Sequence, residues 1–284
     1  MLCVRVIMHG IKNKTCPVKN SRDLDKRKKL LVKIFNGMQI IYILWQRQLK
    51  RYLRSKSRVF GSLAQPLFFL LALGFGFGPV FSKAGQGNYI EFLVPGIISM
   101  TIIFTSIFAG MEIIWDKQFG FLKETLVAPV SRLNIMVGRT LGGATIATMQ
   151  GTIVLFLSLI AGFRPVSWGL VPVAILVMFL SSLLFTALGT AIASKLDDMQ
   201  GFQMIMNFLV MPLFFLSGAI FPLDRATILG TIASFDPLSY TVDALRHLLT
   251  NVHFFTLARD VSILAILTLI FLGIGSYFFS KVQI

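Results

Sequence analysis

Six long apolar runs separated by short polar ones set the pattern of this chain, at about residues 59–81, 92–114, 139–162, 168–194, 202–222 and 260–280. A helix needs about 20 mostly apolar residues to cross the hydrocarbon core of a bilayer, and each run is long enough. The pattern therefore predicts an all-α integral membrane protein with six transmembrane helices. The one sizeable polar interruption is WDKQFGFLKETLVAPVSR, Trp115 to Arg132, between the second and third runs. There Phe119, Phe121, Leu122, Leu126 and Val127 alternate with Lys117, Lys123 and Glu124 at spacings that suit a short amphipathic helix, and Pro129 stops it. Such a helix lies on a membrane surface or docks into a partner's groove.

Ahead of the first run, MQIIYILWQRQLKRYLRSKSR starts at Met38 and puts Ile41, Leu44, Trp45, Leu49 and Tyr52 on one helical face. With Arg47, Lys50, Arg51 and Arg54 free to reach lipid headgroups, it reads as an interfacial helix. Residues 1–37 carry ten Lys and Arg against Asp23 and Asp25 and no long apolar stretch, so they read as a disordered basic tail or as an extension upstream of a start at Met38. The first span contains Pro66 and closes on GFGFGP, a flexible exit suited to bending or close contact. Spans three and four form a tight hairpin across Gly162 to Ser167, and Gly143, Ala147 and Gly151 make a small-residue stripe suited to packing within the chain. Between spans five and six, Leu223 to Arg259 reads as two short helices hinged at Asp236 and Pro237 that dip back into the membrane. Asp243 precedes Arg246 by three residues and His247 by four, so an ion pair along the helix is expected.

Composition agrees with this reading. Of 284 residues, 55% are hydrophobic and 14% charged, against roughly 25% charged in a soluble globule. The formal net charge of +15 comes from a skewed distribution. All of the 27 Lys and Arg except Lys83, Arg164, Arg225, Arg246 and Arg259 fall on the side that holds both termini, and the skew survives removal of residues 1–37. Both ends are thus expected in the cytoplasm, with the charge directed at anionic lipid and no nucleic acid as partner.

Chemistry-bearing motifs are sparse. No GxxxxGK[ST] phosphate loop, HExxH, paired catalytic carboxylates or nucleophile motif occurs, Cys3 and Cys16 suggest no site, and no metal site is indicated. Glu112 is the only acid well inside a span, close enough to the cytoplasmic end to snorkel. Thr101, Thr105 and Ser106 give span two a polar stripe, and Gln203, Asn207 and Met211 share a face of span five. Such residues either bond helix to helix or line a pathway.

With six spans, both ends inside, an amphipathic N-terminal helix, FGFLKETLVAPVSR after span two, and FLSGAIFPLD leading to DPLSYTVDALR before span six, the chain resembles type-2 ABC exporter permeases. The likeness is strongest to the daunorubicin-resistance and nodulation-exporter branch; it covers residues 38–284 and nothing in 1–37. It implies a multi-pass permease subunit of the cell membrane, paired as a homodimer or close heterodimer. It also implies two separate ATPase subunits that hold ATP and Mg, with no cofactor and no enzyme activity in this chain. The family's coupling helix, which sits in a cleft of the ATPase, falls on Phe119, Gly120, Leu122, Lys123, Glu124, Leu126, Ala128 and Pro129. Its re-entrant extracytoplasmic helices fall on Phe221 to Arg246, including Asp236, Pro237, Tyr240 and Asp243. Spans two and five flank the central pathway in such exporters, which favours the faces of Thr101 and Thr105 and of Gln203, Asn207 and Met211. The function implied is ATP-driven export of an amphipathic drug-like or lipid-linked compound by alternating access. Export of a lipo-oligosaccharide or polysaccharide is the alternative. A secondary transporter would need midplane ionisable residues and an internal repeat, and neither is visible.

Overall fold

A computed structural model describes residues 21–83, 88–121, 131–221, 228–252 and 254–280. Apart from turns and one 3-10 turn at Trp168–Leu170, the described residues are α-helical: α1 (Ser21–Arg54), α2 (Lys56–Lys83), α3 (Tyr89–Ala109), α4 (Met111–Gln118), α5 (Arg132–Ile160), α6 (Val171–Lys195), α7 (Met199–Leu216), α8 (Ile228–Ala233), α9 (Pro237–Thr250) and α10 (Leu257–Ser280). The chain divides into Met1–Met38 and a compact unit, Gln39–Ile284. Six stretches are long and apolar enough to cross a membrane: Lys56–Pro79, Tyr89–Gln118, Arg132–Ile160, Trp168–Lys195, Met199–Leu216 and Leu257–Phe279. They overlap the six apolar runs, the fifth, α7, ending at Leu216, short of residue 222.

Polar side chains fix where several helices start. Asn88 accepts from the N–H of Ile90, Ser131 from Asn134, Asp198 from Gln200 and Gly201, and Asp236 from Leu238, each satisfying an amide that an α-helix leaves orphaned. Three helices, α3, α5 and α6, pack on one another as the centre, and α10 lies along α6. In the most apolar window of Tyr89–Gln118, 72% of residues are buried, against 22% in α2, 22% in α7 and 17% in α10. Three spans therefore keep broad apolar faces open to lipid or to another subunit.

Three expectations change at this level. The second span does not end at Ile114: after a break at Gly110 the helix resumes and runs to Gln118, so Trp115, Asp116 and Lys117 are helical. Gly110 is needed for close approach, because a Cβ there would sit 2.5 Å from the carbonyl of Gly189 in α6, and one on Gly189 would sit 2.6 Å from Ile107 O. The first span has no flexible exit; α2 continues unbroken through Gly74, Gly76 and Gly78, the last two facing open space. The helix around Met38 does not reserve its arginines for headgroups, since Arg47 and Arg51 turn inward to carboxylates. The small-residue stripe does pack inside the chain: Gly143 faces Thr186 and Ala109, and Gly151 faces Ile98 and Ile102.

Candidate functional site

At the end of the bundle where α1 stops and α5 starts, charge is concentrated inside the protein. Glu112 and Asp116, one turn apart on α4, share one face. Arg58 reaches Glu112 at 3.3 Å and Arg51 at 3.6 Å, while Gln48 donates to it at 3.3 Å. Asp116 takes Arg139 of α5 at 2.5 Å, with Arg47 at 3.6 Å and Arg51 at 3.9 Å behind it. The Arg139 and Asp116 side chains are each 5% exposed, and the Arg139 charge depends on Asp116. Glu112 is thus an ion-pair member rather than a snorkelling acid. Above this cluster lies a cavity of about 330 Å³. Its polar floor joins Gln150 of α5 to Tyr52 (2.5 Å), Ser62 (2.6 Å) and Thr105, and its wall is Phe104, Phe108, Met111, Trp115 and Ile146.

Immediately beyond, the end of α4 is clamped to the α6–α7 connection. Lys117 spends its three donors on Ser194 O (2.8 Å), Leu196 O (3.1 Å) and Asp197 Oδ1 (3.1 Å), a cation set on the carbonyl-rich end of α6. Gln118 adds a bond to Asp197 O at 3.0 Å, and the Trp115 indole donates to Met199 Sδ at 2.5 Å. Past the clamp the chain turns outward through Gly120 at φ +78°, which favours glycine, and leaves Phe119 and Phe121 exposed. Leu122, Lys123, Glu124, Leu126, Ala128 and Pro129 lie outside the described residues.

The other expected positions divide. Thr101 is buried and donates to Ile97 O of its own helix, so it does not reach the subunit surface, while Thr105 opens onto the cavity. Gln203, Asn207 and Met211 are all exposed on α7, beside Met204 and Phe208. Asp236 and Pro237 start α9 as its cap and first residue, and Tyr240 donates to Ser234 O at 2.5 Å, fastening α9 to the end of α8. The expected ion pair of Asp243 with Arg246 does not form. Asp243 accepts instead from the amides of Phe254 and Phe255 at 2.8 and 2.7 Å, two half-buried backbone N–H groups at the turn into α10. Arg246 donates to Gly218 O at 2.8 Å and lies 3.8 Å over the Phe92 ring. Burial lowers the Arg246 pKa to about 10, partly opposed by the charge of Asp243. Burial also raises the Asp236 carboxyl to about 7, against the pull of its bonds from Leu238 and Ser239.

Among the described residues no cluster of three or more His, Cys, Asp or Glu could hold a metal ion; the arrangement holds helices together at one end and presents a tip. The sequence profile of the ABC-2 type transporter family matches residues 39–250. The chain belongs to that family. It is 27% identical to the transport permease ycf38 of Cyanophora paradoxa over 236 residues, 80% of each chain. To Nodulation protein J of Rhizobium leguminosarum bv. viciae it is 25% identical over 208 residues, 72% of this chain and 77% of the other. With ycf38 of Porphyra purpurea it shares 28% over 218 residues, 75% of each. As an ABC-2 permease it is a multi-pass membrane protein, and permeases of this family work with an ABC ATPase partner.

Two residues central to this permease's inner network, Asp116 and Arg139, were not singled out by sequence reasoning, and Lys117 was read only as a polar position of the amphipathic segment. A signal was there. Glu112 and Asp116 are four apart, as are Arg47 and Arg51, and two rows of opposite sign at helical spacing can face each other across a crossing.

Proposed function

We propose that this chain is the permease subunit of an ATP-driven exporter in the cell membrane, with both termini in the cytoplasm. It pairs with a second permease and two ATPase subunits, which carry ATP and Mg. The observation that carries this reading is the family match over residues 39–250 joined to the geometry after α4: an apolar tip, Phe119 and Phe121, on a helix clamped to the α6–α7 connection. Residues 119–129 form the ATPase contact. A push there reaches the end of α6 and the start of α7 through Lys117 and Gln118, without passing through a free loop. The outer face of α7 at Gln203, Asn207 and Met211 lines the route between subunits, so the push reaches the span that touches cargo. The α8–α9 pair is the re-entrant closure on the far side, and α1 lies along the inner membrane surface with Tyr42, Ile43 and Leu53 toward lipid. The cargo is an amphipathic drug-like or lipid-linked molecule.

Co-purification with the ATPase tests the reading. Phe121→Ser and Glu124→Lys should each abolish or sharply weaken association while leaving insertion intact. Lys117→Met should keep the ATPase bound yet lower transport per ATP hydrolysed. Normal association and transport in all three variants would remove the contact from this segment.

A further inference from the structure

We propose that the cavity above the Glu112–Asp116 cluster is a binding site for the headgroup of an anionic phospholipid, entered from the inner leaflet. The charges decide the sign. Of the charged groups only Arg58 and Glu112 line the cavity, and behind them Arg47, Arg51 and Arg139 meet Glu112 and Asp116, so the cluster beside the cavity sets four guanidiniums against two carboxylates. Arg58 uses one N–H on Glu112 and keeps others for a phosphate, while its guanidinium lies 5.3 Å from the Trp115 ring. At about 330 Å³ the space is of small-molecule size, and basic pockets between membrane helices on this side are where anionic headgroups settle. Phe104 and Phe108 supply the apolar wall along which acyl chains run. The leaflet assignment rests on the orientation given under Proposed function; the cavity and its charge do not. A lipid seated here touches α2, α4 and α5 together, so its occupancy stiffens the joint through which the α4 tip would act.

Titration of the purified full chain in detergent, followed by native mass spectrometry, tests this without any ATPase, so its failure is separable from failure of ATPase docking. Phosphatidylglycerol should bind about tenfold more tightly than phosphatidylcholine. Arg58→Gln should weaken phosphatidylglycerol binding about fivefold. Gln65→Trp, which narrows the mouth and leaves every charge in place, should weaken it as well. Arg54→Gln, a change outside the cavity, should leave it unchanged. The proposal is overturned if the two lipids bind alike, or if Arg58→Gln and Gln65→Trp both bind as the parent does. It is equally overturned if sn-glycerol 3-phosphate binds as tightly as the whole lipid, since the apolar wall would then contribute nothing.

Discussion

Asp116→Asn tests how the inner charge cluster holds the bundle. Among the described residues Arg139 has Asp116 as its one contacting acidic partner, and both side chains are 5% exposed. Neutralising Asp116 strands a buried guanidinium, a change that costs about 3–5 kcal/mol in comparable buried pairs. The reciprocal change is milder. In Arg139→Met the carboxylate keeps Arg47 at 3.6 Å and Arg51 at 3.9 Å, and Met fills most of the vacated volume. Those two arginines are more than a third exposed, so they hold Asp116 with only about 0–1 kcal/mol each. We expect Arg139→Met to cost about 1–2 kcal/mol, and Asp116→Leu with Arg139→Met to cost no more than the single Met variant. Thermal unfolding of the purified chain in one detergent, read by intrinsic fluorescence, gives the order. An Arg139→Met variant as unstable as Asp116→Asn would refute the asymmetry and with it the claim that Arg47 and Arg51 serve as reserve partners.

Gly189→Ala should destabilise by about 1–3 kcal/mol, since its Cβ meets the backbone of Ile107; Gly76→Ala, with nothing within 4 Å, should be neutral or stabilising by up to about 1 kcal/mol in the same melts. Because the Asp236 carboxyl is raised from 3.8 to about 7 in the folded state, ionisation favours the unfolded chain, so stability should fall between about pH 4 and 7 and level off above; Asp236→Asn should flatten that slope in melts across the range. A chain beginning at Met38 should insert, bind the ATPase and transport normally, because the exposed Lys50, Arg54 and Lys56 already supply charge at the membrane surface; lost association would expose a role for residues 1–37. Asn207→Leu should alter substrate preference or turnover in vesicle transport more than it alters the melting temperature, an interhelical amide bond being worth about 0.6–2 kcal/mol if one were lost; unchanged transport would place this face in a packed contact.

What was legible in the sequence followed the bilayer. A run of apolar residues has one stable fate in hydrocarbon, so the six spans, the tight hairpin and the two short helices around Asp236 and Pro237 could be placed from pattern alone. The small-residue stripe was legible for a related reason: Gly143 and Gly151 admit neighbours whichever neighbours they are. What pattern could not supply was the partner of each polar group. Lys117 reads as the polar side of an amphipathic helix until the end of α6 and the connection after it bring three oxygens to it, and Asp243 with Arg246 at helical spacing suggests a pair until the turn at Phe254 and Phe255 presents two half-buried amides. For Asp243 a local rule proposed the nearest partner along the chain. The fold then brought two half-buried backbone amides within reach, and two charge-assisted hydrogen bonds to them took the place of an ion pair between residues three apart. The same competition explains Arg47 and Arg51. Headgroups would have accepted them, but Glu112 and Asp116, carried inward on a helix restarted at Gly110, would otherwise be carboxylates held inside the protein with only Arg58, Arg139 and Gln48 beside them.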